Sequence, residues 1–95
     1  MITLADGRLH VAGAMTMATA ASLLQGGMSQ LAQASGGVDL SAVAEVDSSG
    51  LAVLLEWARE LGRPLAVVGA PASLVALAAL YDLDDLLGLV PAASA

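Results

Sequence analysis

Near its amino-terminal end the chain alternates apolar and polar positions. Ile2 and Leu4 alternate, Asp6-Gly7 interrupts, and Leu9 and Val11 resume the pattern. Two runs of period two joined by Asp-Gly predict a β-hairpin. From Met17 the period changes. Met17, Ala20, Ala21, Leu24, Met28 and Leu31 fall at helical spacing, with Thr16 placed to cap the helix start. Gly26-Gly27 lie inside this helix, at a cost of about 1 kcal/mol per glycine relative to alanine. Either the helix bends there, or a close contact needs small residues. The methionines lie on the apolar stripe and are read as core rather than as ligands.

Gly36-Gly37 closes that segment, and Val38–Val43 alternates as a strand. Leu51, Leu54, Leu55, Ala58 and Leu61 then share one face of a helix running from about Ser49 to Leu61. Gly62 and Pro64 stop it. The continuous apolar run Leu65–Gly69 predicts an interior strand. Pro71 opens a third helix, with Leu74, Leu77, Ala78 and Tyr81 on its buried face. Asp82 to Val90 is a short acidic, leucine-rich segment to which no strand is assigned. The predicted order is β-β-α-β-α-β-α, an α/β fold. It gives a mixed four-stranded sheet with the hairpin at an edge, helices mainly on one face, and right-handed parallel crossovers. The expected organisation is a single domain over residues 1–91 and a frayed tail at 92–95.

Composition sharpens this picture. The chain of 95 residues is 58% hydrophobic but has no Phe and one Trp, which predicts thin, closely packed layers. The net charge is −6, and Arg8, Arg59 and Arg63 are the only strong bases. Nucleic-acid binding and attraction to an anionic membrane surface both need clustered cations, so both are disfavoured. The absence of cysteine excludes disulfides, thiolate metal sites and thiol catalysis. The segment Met1–Arg8 lacks the charge and apolar pattern of a signal peptide. The longest apolar stretch, Ala70–Tyr81, falls short of the roughly 20 residues a bilayer span takes. The expectation is a soluble, cytoplasmic protein.

The most informative segment is Val46-Asp47-Ser48-Ser49-Gly50-Leu51, small polar residues placed where a strand gives way to a helix. A helix start has unpaired backbone N–H groups and a partial positive charge. Ser48 or Ser49 can cap it, and the same geometry suits a hydroxyl, or a phosphate on that hydroxyl, presented to a partner. With Val38-Asp39-Leu40-Ser41 upstream and this element order, the chain resembles the STAS domain family, the fold of anti-sigma factor antagonists. Its short length and the ending Leu77-Ala78-Ala79-Leu80-Tyr81-Asp82-Leu83 are most similar to the small cytoplasmic STAS subunits of Mla-type phospholipid-transport ABC systems.

That resemblance implies a non-catalytic subunit that binds the transporter's ATPase subunit and supports its assembly and activity. It would sit in the cytoplasm, peripheral to the inner membrane through that complex. The alternative is a partner-switching antagonist phosphorylated on Ser48 by an anti-sigma serine kinase. In both cases Ser48 occupies the column of the hydroxyl at the partner interface. The antagonists usually carry an acidic residue shortly after the glycine that ends the second strand. Here the run is Gly13-Ala14-Met15-Thr16, with Thr16 at that place, which shifts weight toward the transporter reading.

Helical numbering places Val53 and Trp57 together on a flank outside the apolar arc. With Ser48, Ser49 and Gly50 they make up the expected partner surface. Glu56 and Glu60 lie beside them, able to meet basic residues or to pair weakly with Arg59 and Arg63. No cofactor is implied. His10, Asp47 and Ser48 are formally the residue types of a hydrolase triad, but His10 lies in the early hairpin, where its spacing gives no support. Asp82, Asp84 and Asp85 lack the glycine-containing pattern of a calcium loop, and no metal site is expected. The glycine pairs lack the lysine of a phosphate loop. No catalytic set emerges, and no ATPase or hydrolase activity is expected of the chain alone.

Overall fold

The structure, a computed structural model, describes residues 2–83 and 85–91. The tail at 92–95, and Asp84 of the acidic segment, lie outside the described residues. The elements are β1 (Ile2–Ala5), β2 (Arg8–Met15), α1 (Ala20–Met28), β3 (Val38–Val46), α2 (Ser48–Leu61), β4 (Leu65–Ala70), α3 (Ala72–Leu80) and β5 (Leu87–Pro91). A 3-10 turn at Leu31–Gln33 precedes β3. The strands lie in the order β1-β2-β3-β4-β5. β1 is antiparallel to β2, and every other pair is parallel. At the hairpin Asp6 (φ 55°) and Gly7 (φ 72°) both take the left-handed conformation, which a two-residue turn matched to strand twist requires.

The mixed α/β fold agrees with the sequence reading, but the sheet has a fifth strand. Its leucine-rich segment carries a period-two pattern too short to separate from a helix turn. Register settles it. Leu87 stands beside Leu65 and Leu89 beside Val67, so both leucines reach the covered face of the sheet. A second difference lies before α1. The Thr16 carbonyl accepts from the N–H groups of Thr19 and Ala20 (3.0 and 2.9 Å), closing a turn. Thr19, not Thr16, therefore holds the N-cap position. Met17 is thereby left off the helix and 81% exposed, against its expected place in the core.

Side chains on one sheet face make the core. Leu9, Val11, Val38, Leu40, Leu65, Val67 and Leu87 are buried beneath Leu23 of α1, Leu51 and Leu54 of α2 and Leu74 of α3. Arg8, Ala12, Ala66 and Gly88 point to the other face and are exposed. Tyr81, expected on the buried face of α3, is exposed, because α3 ends at Leu80.

The second glycine of the pair in α1, Gly27, has a specific cause. A Cβ at Gly27 would lie 2.2 Å from Cζ2 and 2.7 Å from Nε1 of Trp57. The missing side chain is the slot that admits the indole. Gly27→Ala should therefore destabilise the domain, although alanine favours helix by about 1 kcal/mol. Overpacking of this kind costs about 1–3 kcal/mol and works against that gain. A urea midpoint at or above that of the parent chain would show that the slot is not needed.

Candidate functional site

The site is built around Asp47, the last residue before α2. Its backbone is extended and its carboxylate caps the helix, with Oδ1 accepting from the N–H groups of Ser49 (2.8 Å) and Gly50 (3.3 Å). Oδ2 accepts from the Met17 N–H at 3.1 Å. One carboxylate thus ties the β2–α1 loop to the start of α2. Thr19 Oγ1 secures the same loop, donating to the Ala14 carbonyl (2.9 Å) and accepting from the Thr16 N–H (3.0 Å). The cap is therefore Asp47, where the sequence suggested either serine. Ser48 is left with an exposed hydroxyl that makes no hydrogen bond among the described residues.

Desolvation pushes the Asp47 carboxyl up, but the N–H donors of Met17, Gly50 and Ser49 outweigh it and hold it below its ordinary 3.8. The sign follows from linkage. A carboxyl lowered on folding stabilises the fold fully above its unfolded value of about 4 and loses that contribution as pH falls through the lowered folded value. Asp47→Ala should thus lower Tm at neutral pH, and the gap to the parent chain should close in acid. A gap independent of pH would mean that the charge at Asp47 does not matter.

Gly50 is buried and has a packing role rather than a contact role. A Cβ there would lie 2.4 Å from the Met15 carbonyl oxygen and 3.0 Å from Val46 Cγ1. Its absence lets α2 start directly against the ends of β2 and β3. Val53 and Trp57 also depart from the expected surface. They are 3% and 0% exposed, and the Trp57 Nε1–H reaches the Leu24 carbonyl at 3.4 Å. The physical reason is that α1 lies on this flank. α2 is covered by the sheet on one side and by α1 on the other, so its buried arc is wider than the sheet alone would require.

What remains accessible is a different set. Ser48 is exposed, Ser49 is half-buried, and Met17 stands beside them on the tethered loop. A groove of about 250 Å³ runs on from Ser49 between the helices, lined by Ala21, Leu24, Ala52, Val53 and Glu56. Sequence reasoning missed Met17. The signal that could have found it was Thr16-Met17-Ala18-Thr19, a turn-compatible run that the helical count absorbed. Glu56 pairs with Arg59 at 2.9 Å, as expected of helix neighbours.

His10 takes no part in this site. Its Nε2 lies 3.2 Å from the Ala5 carbonyl and its Nδ1 3.7 Å from Asp39, on the open sheet face. The Ser41 hydroxyl and N–H donate to Asp39 Oδ1 at 2.6 and 2.8 Å and hold the Asp39 carboxyl below its ordinary value, with His10 and Arg8 adding to the effect.

A mixed sheet covered by helices on one face, with a free hydroxyl at the start of the helix after the central strand, is the arrangement of the STAS class. The sequence profile of the MlaB STAS domain matches residues 2–91, and the chain belongs to that family. The fold is also similar to the crystal structure of a candidate anti-sigma factor antagonist from Thermotoga maritima. The two agree with a TM-score of 0.70 at 16% identity, over 94% of this chain and 83% of that one. No curated protein matches the sequence. Membership places the chain among STAS regulatory domains, a generally non-catalytic class.

Proposed function

We propose that the chain is a non-catalytic regulatory and assembly subunit of an Mla-type phospholipid ABC transporter, the kind of system that maintains outer-membrane lipid asymmetry. Its partner is the MlaF-like ATPase subunit, through which it sits on the cytoplasmic side of the inner membrane. The observation that carries the reading is the pairing of an exposed, unbonded Ser48 hydroxyl with an 81% exposed Met17 held next to it by Asp47. A large apolar side chain on a tethered loop loses little freedom on docking, and the hydroxyl beside it supplies polar selectivity. The MlaB label of the family supports the transporter over other partners.

The fold shared with a candidate anti-sigma factor antagonist favours one second reading, in which a serine kinase phosphorylates Ser48. Thr16 weighs against it, since its N–H and carbonyl are engaged in the loop and it brings no carboxylate to that place. Purification of the tagged chain at native expression, followed by identification of co-eluting proteins, separates the two. An ABC ATPase with its permease is the expected result. A kinase of the anti-sigma type in their place would overturn the transporter reading.

A further inference from the structure

The chain has no cysteine, so its thioethers are the side chains most open to a mild two-electron oxidant. The structure separates them by exposure. Met15, the last residue of β2, is 0% exposed, and Met28, at the end of α1, is half-buried. Met17, two residues after Met15, is 81% exposed. The loop holds it there. The Met17 N–H donates to Asp47 Oδ2, and the Thr16 carbonyl of the same peptide unit accepts from the N–H groups of Thr19 and Ala20. That peptide is thus fixed at both its N–H and its carbonyl, and the side chain it carries is held out of the core. Trp57, the one indole, is 0% exposed and shielded from oxidant.

We propose that Met17 is an oxidation site that controls docking, an inference that rests on the place of Met17 in the partner surface proposed above. The oxidant is a peroxide. A lone pair of the Met17 sulfur attacks one peroxide oxygen, an S–O bond forms, and the O–O bond breaks. The transferred oxygen gives its proton to the departing hydroxide, which leaves as water. Sulfur is oxidised by two electrons and the peroxide is reduced by two, so the product is methionine sulfoxide. The thioether can leave water on docking at little polar cost. The sulfoxide oxygen is a polar acceptor, and its desolvation is costly unless the partner supplies a donor. The free fold is little affected, because Met17 lies outside the core. Docking covers Met17, so the oxidant acts on the free chain. The device therefore limits assembly and leaves a formed complex protected.

The test is treatment of the purified full chain with hydrogen peroxide, removal of the peroxide by catalase, and peptide mapping by mass spectrometry. Met17 should gain one oxygen at least about tenfold faster than Met15 or Met28, with the Tm of the untreated chain retained. The oxidised chain should then bind the co-purified partner at least about tenfold more weakly. Methionine sulfoxide reductases A and B, supplied with dithiothreitol, should restore both the mass and the affinity. Met17→Leu keeps the bulk without the reactivity. Its affinity, whatever the starting value, should be the same before and after peroxide. Oxidation of Met15 or Met28 as fast as Met17 overturns the proposal. So does an oxidised chain that binds as tightly as the untreated one, or a loss of affinity that Met17→Leu shares. The transporter reading fails separately, when the recovered partner is not an ATPase, and the same titration against that partner then decides this proposal.

Discussion

Trp57→Ala should cost about 3–5 kcal/mol of folding stability, the range for removing a fully buried Trp or Phe. The indole is 0% exposed, lies against the Gly27 slot of α1, and directs its N–H at the Leu24 carbonyl. Deleting it opens a cavity between α1 and α2 that neither helix can fill, because the facing position is a glycine. Domains of this size have only about 5–15 kcal/mol to lose. The variant should therefore unfold far below the parent in urea, or be partly unfolded without denaturant. Trp57→Phe keeps most of the buried surface and should lose much less. Partner binding should fall only in proportion to the unfolded fraction. A variant with the parent Tm and no binding would return Trp57 to the contact surface.

That residue also marks where the sequence stopped being legible. The strands of the hairpin, the helix after Asp47, the stop at Gly62 and the parallel sheet all follow from local signals: period, turn residues, caps. Whether a flank of α2 is covered is a tertiary fact. It depends on where α1 lies, and the glycine that lets α1 approach is 30 residues from Trp57 in sequence. Read alone, Gly27 meant either a bend in the helix or a close contact with an unnamed neighbour. Read with Trp57, the two are halves of one contact. The fifth strand escaped for a similar reason, since Leu87 and Leu89 acquire meaning only beside Leu65 and Val67. The helix start was more visible. Asp47-Ser48-Ser49-Gly50 marked the helix start, although the roles within it shifted: Asp47 caps, Gly50 packs, and Ser48 is exposed.

Ser48→Asp should fold like the parent chain and fail to hold the proposed ATPase partner. In the free domain the change is mild. Ser48 is exposed at the first turn of α2, where the backbone dipole favours a negative group. The nearby Asp47 carboxylate offsets part of that gain, so Tm should move by no more than a few degrees. In the complex the balance reverses. A carboxylate beside Met17 must shed water on docking, and its desolvation is costly unless the partner supplies a matched cation. A loss of at least about 100-fold in affinity is expected, equivalent to about 2.7 kcal/mol. Ser48→Thr keeps the hydroxyl and should bind nearly as the parent does. Met17→Ala should bind about tenfold more weakly through lost apolar contact, with an unchanged Tm because the side chain is outside the core. Titration of each purified variant against the co-purified ATPase by calorimetry measures all three. Under the kinase reading Ser48→Asp would mimic phosphorylation and also lose its partner, so the identity of the lost partner decides between the readings. Full affinity of Ser48→Asp for every recovered partner would leave the helix start with no contact role and place the interface elsewhere on the domain.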